Sequence, residues 1–205
     1  MTAGPARPPS GPVAARGRLL VLSGPSGVGK TAVAERLLAD PRVARAITAT
    51  TRAPRPGERD GVDYLFLSMD EFRRRLADGW FLEHADVYGR LYGTPRSSVE
   101  AVLASGRHCL LVIDVQGVAT LRTAGTPATY VLLEPPSRAE LERRLKTRGS
   151  DDPASQARRL DEAERELART ELFDHRVVNA DLEAAARAVA ATVGLALGPP
   201  PGPAR

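Results

Sequence analysis

Gly24-Pro25-Ser26-Gly27-Val28-Gly29-Lys30-Thr31 fits the pattern G-x-x-x-x-G-K-[ST]. It lies between a short apolar run, RLLVLS (18–23), and a stretch of helical spacing, TAVAERLLAD (31–40). A buried strand must therefore feed a tight glycine-rich turn that opens directly into a helix. Glycines let successive backbone N–H groups converge on phosphate oxygens without Cβ clashes. The helix N-terminus adds a positive field. Lys30 is placed to reach the β- and γ-phosphates of a nucleoside triphosphate, and Thr31 to offer its hydroxyl to Mg²⁺. The chain carries two lysines, Lys30 and Lys146, against 27 arginines. That a sequence so biased toward arginine keeps lysine at position 30 fits a loop that needs a compact point charge rather than a planar fork.

Downstream of the loop, strand-like and helix-like segments alternate. DYLFL (63–67) and WFLEHADVY (80–88) read as strands, with a short helix, EFRRRLADG, between them behind a Ser68/Glu71 capping box. Thr94 and Pro95 read as the N-cap and first position of a helix to Ser105. HCLLVID (108–114) and ATYVLL (128–133) are buried strands. Ser137 and Glu140 open a helix through Arg148, and 154–170 is a long charged helix. HRVVNA (175–180) is a last strand before a closing helix. Such alternation predicts an α/β fold with a mostly parallel sheet covered on both faces. Residues 41–93 break the rhythm with short strands and turns and read as an inserted α+β lobe, and about 138–160 as a helical lid. The domain is expected over 18–197. Residues 1–17 and 198–205 are Pro/Gly/Ala-rich tails that cannot bury enough apolar surface to offset their ordering entropy, and disorder is expected there.

The net charge of +4 does not argue for nucleic acid. Arg7, Arg16 and Arg205 sit in the tails with no acid beside them, and the rest of the chain carries a net charge of +1. No run of 18 apolar residues exists, so no membrane span is expected. The first residues lack the apolar region of a secretory signal. The single cysteine, Cys109, lies in an apolar strand, reads as a buried structural thiol and fits a reducing, cytoplasmic setting. His84 and His175 show no metal-ligand spacing. Lys146 and the run RRLDEAERELAR read as a solvated helix face.

Arg52 and Arg55, stiffened by Pro54 and Pro56, form a candidate anion clamp, to which Tyr64 can add a hydroxyl. The string TTRAPRPGERDGVDYLF resembles the guanylate kinase signature. GPSGVGKT, FLEHADVYGRLYGT, IDVQG, RRLKTRG and VVNADL resemble blocks of that family in the same order, over about residues 18–195. The resemblance implies transfer of the γ-phosphoryl group of Mg-ATP to GMP or dGMP, in purine nucleotide metabolism. It implies that Arg52, Arg55, Tyr64 and Tyr92 hold the GMP phosphate. Thr48, Glu83 and Thr94 would read the guanine, and Asp114 would face nucleotides and metal. Arg144 and Arg148 would close over ATP, Arg159 would reach in from the next helix, and Asn179 would lie near the adenine. The chemistry is coherent: a carboxylate at Glu83 can accept from guanine N1–H and N2–H₂, a donor pair that adenine lacks. Thr48 and Thr94 stand where many members have serine, and Val112 where many have Asp or Glu.

Overall fold

The computed structural model describes residues 17–87, 89–147 and 153–199. From the N-terminal side come β1 (Leu19–Ser23), α1 (Lys30–Leu38), β2 (Val43–Arg45), β3 (Ala49–Thr50) and β4 (Leu65–Phe66). There follow α2 (Met69–Ala77), β5 (Phe81–Val87), β6 (Arg90–Pro95), α3 (Arg96–Ala104), β7 (His108–Val112) and α4 (Val115–Thr123). The chain continues through β8 (Thr129–Glu134), α5 (Arg138–Thr147), α6 (Pro153–Ala168), β9 (His175–Val178) and α7 (Leu182–Ala191).

β1 is apolar at four of its five positions, all five are buried, and it lies at the centre of a five-stranded sheet ordered β2-β7-β1-β8-β9. Every pairing in that sheet is parallel. The period of two along β1 sends alternate side chains into two cores. Leu20 and Leu22 meet Val33 and Leu37 of α1 and Ala186 and Val189 of α7. Leu19 and Val21 face the opposite way, toward Val99 and Val102 of α3 and Val118 and Leu121 of α4. Each fully buried Leu or Val in these layers contributes about 1.5–3 kcal/mol, so the strand that feeds the phosphate loop is fixed from both sides.

A second sheet, ordered β4-β3-β6-β5, is mixed: β5 and β6 form an antiparallel hairpin, β3 runs antiparallel to β6, and β4 runs parallel to β3. Its small core is Ala49, Phe72 and Phe81, with the two phenyl rings stacked at 4.3 Å. α5 and α6 pack on each other through Leu141, Leu145 and Ala163.

Several elements differ from the sequence reading. The expected 63–67 strand shortens to two residues. Thr94 is not a helix cap; β6 runs through Pro95, and α3 starts at Arg96. The Thr94 hydroxyl is held instead by a buried carboxylate, described below. β7 stops at Val112, so Asp114 is not a strand residue but the N-cap of α4, accepting from the Gly117 N–H at 2.7 Å. β2, β3, β6 and α4 carried no readable period. The first two are too short, β6 contains Gly93 and Pro95, and α4 mixes Gly117 with β-branched residues that favour no helix. Arg148, the Lys146 side chain and nearly all of both tails lie outside the described residues.

Candidate active site

The glycine-rich loop leaves β1 and enters α1 through three residues of positive φ: Gly24 at 146°, Gly27 at 81° and Gly29 at 102°. Gly29 is the left-handed cap of α1, and a Cβ there would lie 2.3 Å from Asn179 Nδ2. That amide donates to the Val28 carbonyl at 2.8 Å and is buried. Asn179 therefore fixes the loop from behind. Arg144 adds to the same support, donating to the carbonyls of Val28 and Asn179 at 3.2 Å each while pairing with Glu140. α1 carries no acid in its first turn, which leaves its positive end uncompensated.

Above the loop lies a cavity of about 420 Å³, lined by residues 24–27 and 29–31, by Asp86 and Val87 of β5, by Asp114 and Gln116, and by Glu162 and Glu166 of α6. Val28 turns its side chain into the core and offers the site only backbone. Lys30 Nζ donates to the carbonyls of Gly24 and Pro25. The reading of α6 as a solvated face is corrected here. Leu160, Ala163 and Leu167 turn toward α5, which places Glu162 and Glu166, one turn apart, against the loop. Burial pushes the Glu166 carboxyl up to about 7, opposed by the nearby Lys30 charge and reinforced by Glu162 and Asp114. Arg159, also on α6, does not line this cavity.

A second cavity of about 270 Å³ shares Lys30, Val87 and Asp114 with the first, so the two meet across one wall. Its remaining lining comes from both sheets: Arg45, Val112 and Ile113 beside Thr48, Tyr64, Glu83, Ala85 and Tyr92. Glu83 is 4% exposed and stands opposite Thr94 across the β5–β6 ladder. Thr94 Oγ donates to Glu83 Oε1 at 2.6 Å. Burial raises the Glu83 carboxyl to about 7, the Asp114 charge adds to the rise, and the Thr94 hydrogen bond opposes it. Thr94, fully buried, acts on this cavity through Glu83 rather than by lining it. Gly117 at the start of α4 gives room: a Cβ there would sit 3.0 Å from Glu83 Oε2.

Arg52 and Arg55 do not line either cavity. Arg52 is held at the edge by two hydrogen bonds to Glu58, at 2.8 and 2.9 Å, with its guanidinium 5.4 Å from the Tyr64 ring centre. The side chain of Arg55 is exposed, and its backbone N–H donates to the same carboxylate. Sequence reasoning missed Arg45, Asp86, Gln116, Glu162 and Glu166. Only the last two carried a signal, a spacing of four on one helix face. The expectation of a buried thiol stands: Cys109 is buried, and its thiol is pushed up to about 12 by desolvation.

The donor set around Thr31 suits a hard cation, since every polar side chain on that wall other than Lys30 offers oxygen: Ser26, Thr31, Asp86, Asp114, Gln116, Glu162 and Glu166. Among the described residues no group of three or more His, Cys, Asp or Glu comes together as a metal cage.

A phosphate loop on a parallel sheet, with a second sheet presenting a buried acid across a shared wall, defines a P-loop nucleotide-dependent phosphotransferase. The sequence model of the family described as guanylate kinase matches residues 16–194. A guanylate kinase of Thermus thermophilus is 47% identical over 170 residues, 83% of this chain and 77% of that one. One from Clostridium perfringens is 43% identical over 177 residues, 86% of this chain and 82% of that one. The crystal structure of guanylate kinase from Anaplasma phagocytophilum superposes with a TM-score of 0.68 at 35% identity, covering 86% of this chain and 84% of that one. The chain belongs to the guanylate kinase family.

Proposed function

We propose that this protein transfers the γ-phosphoryl group of ATP to GMP, giving ADP and GDP, with dGMP as a poorer acceptor, in cytoplasmic purine nucleotide metabolism. The observation that carries the reading is Glu83: a buried carboxylate, oriented by Thr94, in a cavity that shares a wall with the phosphate loop. Ionised, it accepts from N1–H and N2–H₂ of guanine. Against AMP it would be left buried and unpaired. Thr48, on the same wall, supplies a further hydroxyl to the base. Tyr64 and Tyr92, whose rings meet edge-on at 6.4 Å, form the corner for the acceptor phosphate, with Arg52 and Arg55 swinging in from the edge.

ATP would lie with its phosphates on the backbone N–H groups of residues 26–31. Lys30 would exchange its loop carbonyls for the β- and γ-phosphates. The attacking group is an anionic phosphate oxygen of GMP, so no general base is required. The protein's task is alignment and charge stabilisation. Lys30 and Asp114 stand on the shared wall where the two nucleotides meet. Asn179 and Arg144 hold the loop in shape, and Arg148 and Arg159 are assigned to closure over the transferred group. Thr31, with the oxygens around it, would hold Mg²⁺, which when bound spreads the negative charge of the phosphates.

A coupled assay of ADP release across GMP, dGMP, AMP, CMP and UMP tests the assignment. GMP is expected to lead, dGMP to follow, and the other three to turn over very poorly. AMP turnover comparable to GMP turnover would overturn it.

A further inference from the structure

The second cavity holds a cation that the sequence motifs do not account for. Arg45 ends β2, and its backbone is set by the central sheet, where it pairs in register with Leu110. Its guanidinium lies 5.5 Å from the centre of the Tyr64 ring, and that of Arg52 lies 5.4 Å from the same ring. The two arginines differ in how their charge is compensated. Arg52 is neutralised by Glu58 through paired hydrogen bonds and also donates to the Ala53 carbonyl. Among the described residues Arg45 has no ion pair, and its guanidinium donates no hydrogen bond. Lys30, the other cation on this lining, is turned onto the carbonyls of the phosphate loop.

We propose that Arg45 is a further acceptor-binding residue, its guanidinium taking the phosphate of the bound nucleoside monophosphate together with the Tyr64–Tyr92 corner. This rests on the second cavity being the acceptor site. A guanidinium held beside a tyrosine ring is pre-positioned for a phosphate, because the cation–π contact uses the ring and leaves the N–H fork unspent. The consequence is structural as well as energetic. Arg45 belongs to the central sheet, whereas Arg52, Tyr64 and Tyr92 belong to the second sheet and its loops. An acceptor phosphate held by both would tie the two sheets together at the moment GMP binds, and a nucleoside without phosphate would not.

Calorimetry on the full chain without ATP tests this, with GMP and guanosine titrated into wild type, Arg45→Ala, Arg45→Lys and Glu83→Gln. Arg45→Ala should weaken GMP about tenfold or more, the typical effect of losing a charge-assisted contact. Guanosine affinity, and the ATP KM read in a separate steady-state assay, should stay within roughly twofold, a split that loss of a merely structural residue would not produce. Arg45→Lys should recover part of the GMP affinity, since it keeps the charge and loses the fork. GMP affinity unchanged in Arg45→Ala, or equal losses for GMP and guanosine, would overturn the proposal. Glu83→Gln reports separately on the site: it should weaken GMP and guanosine alike, and no effect on either would remove the acceptor assignment itself. Should Arg45→Ala lower the melting temperature markedly, Arg45→Gln, which keeps most of the stem over Tyr64, decides by the same GMP-to-guanosine comparison.

Discussion

Glu83, in the base-reading role proposed for it, would set selectivity at a cost in stability. Its folded-state pKa of about 7 stands above the ordinary 4.5, first because it is buried and next because Asp114 is near. A raised carboxylate pKa means the folded chain binds more protons than the unfolded chain between about pH 4.5 and 7. Stability from this group is therefore lost as pH rises through that window, on the order of 3 kcal/mol in all. Guanine needs the opposite state, because only the ionised carboxylate can accept both base donors. The GMP KM is expected to rise as pH falls below about 7, by up to about tenfold per unit, while the ATP KM does not follow the same curve. Glu83→Gln removes the titration. The variant should melt higher than wild type at pH 8, should lose that advantage at pH 5, and should have a GMP KM about 100-fold higher. A GMP KM flat from pH 6 to 8 in wild type would show that Glu83 does not read the base. The sequence made Glu83 a candidate only through its motif; its burial, and the turn of Thr94 toward it, depend on the β5–β6 pairing register, which no local pattern states.

At the scale of elements, α4 is the part of the fold that its sequence hides best. VQGVATLRT has a glycine in its first turn and β-branched residues after it, and nothing in its propensity announces a helix. Tertiary context makes it one: Asp114 caps it, and Val115, Val118 and Leu121 bury one face. Gly117 lies directly against Glu83. Its absent side chain leaves the 3.0 Å approach of Oε2 open, with Ile113 Cδ1 crowding the same point at 3.1 Å. Gly117→Ala should therefore separate helix from site. The helix gains up to about 1 kcal/mol of intrinsic preference, partly offset by the tight contact. The melting temperature is expected to change by only a few degrees while the GMP KM rises roughly tenfold, because the carboxylate is displaced. A thermal melt beside a GMP titration checks both halves, and an unchanged KM would mean the carboxylate relaxes freely. By contrast β1, the phosphate loop and α1 were fully legible, because the loop chemistry and the flanking apolar runs dictate each other.

Only the whole molecule assembles the cavity above the phosphate loop. The phosphate loop supplies residues 24–31, β5 of the second sheet supplies Asp86, and α6 brings Glu162 and Glu166 from more than 130 residues away in sequence. The loop motif marked residues 24–31 but not these acids, because a helix face is chosen by what the opposite face packs on, here Leu141 and Leu145 of α5. The arrangement sets two charges of opposite sign over one loop. With ATP on the loop as proposed, Lys30 would attract its phosphates, and Glu166, with a carboxyl raised to about 7, would repel them once ionised. Near pH 6 most of Glu166 is protonated and the repulsion is weak; at pH 8 it is fully present. Glu166→Gln is therefore expected to bind a non-hydrolysable ATP analogue roughly fivefold more tightly than wild type at pH 8, about 1 kcal/mol of relieved repulsion. At pH 6 the two should agree within about twofold. The comparison is between variant and wild type at each pH, so titration of the nucleotide itself cancels. The competing role for Glu166 is to order the water shell of Mg²⁺, which would make its loss harmful at both pH values. Calorimetry with and without Mg²⁺ separates the two, since repulsion persists in the metal-free titration and a water-ordering role does not. Weaker binding by the variant at pH 8 in both titrations would remove the repulsion argument and leave Glu166 as a structural support of the α6–loop contact.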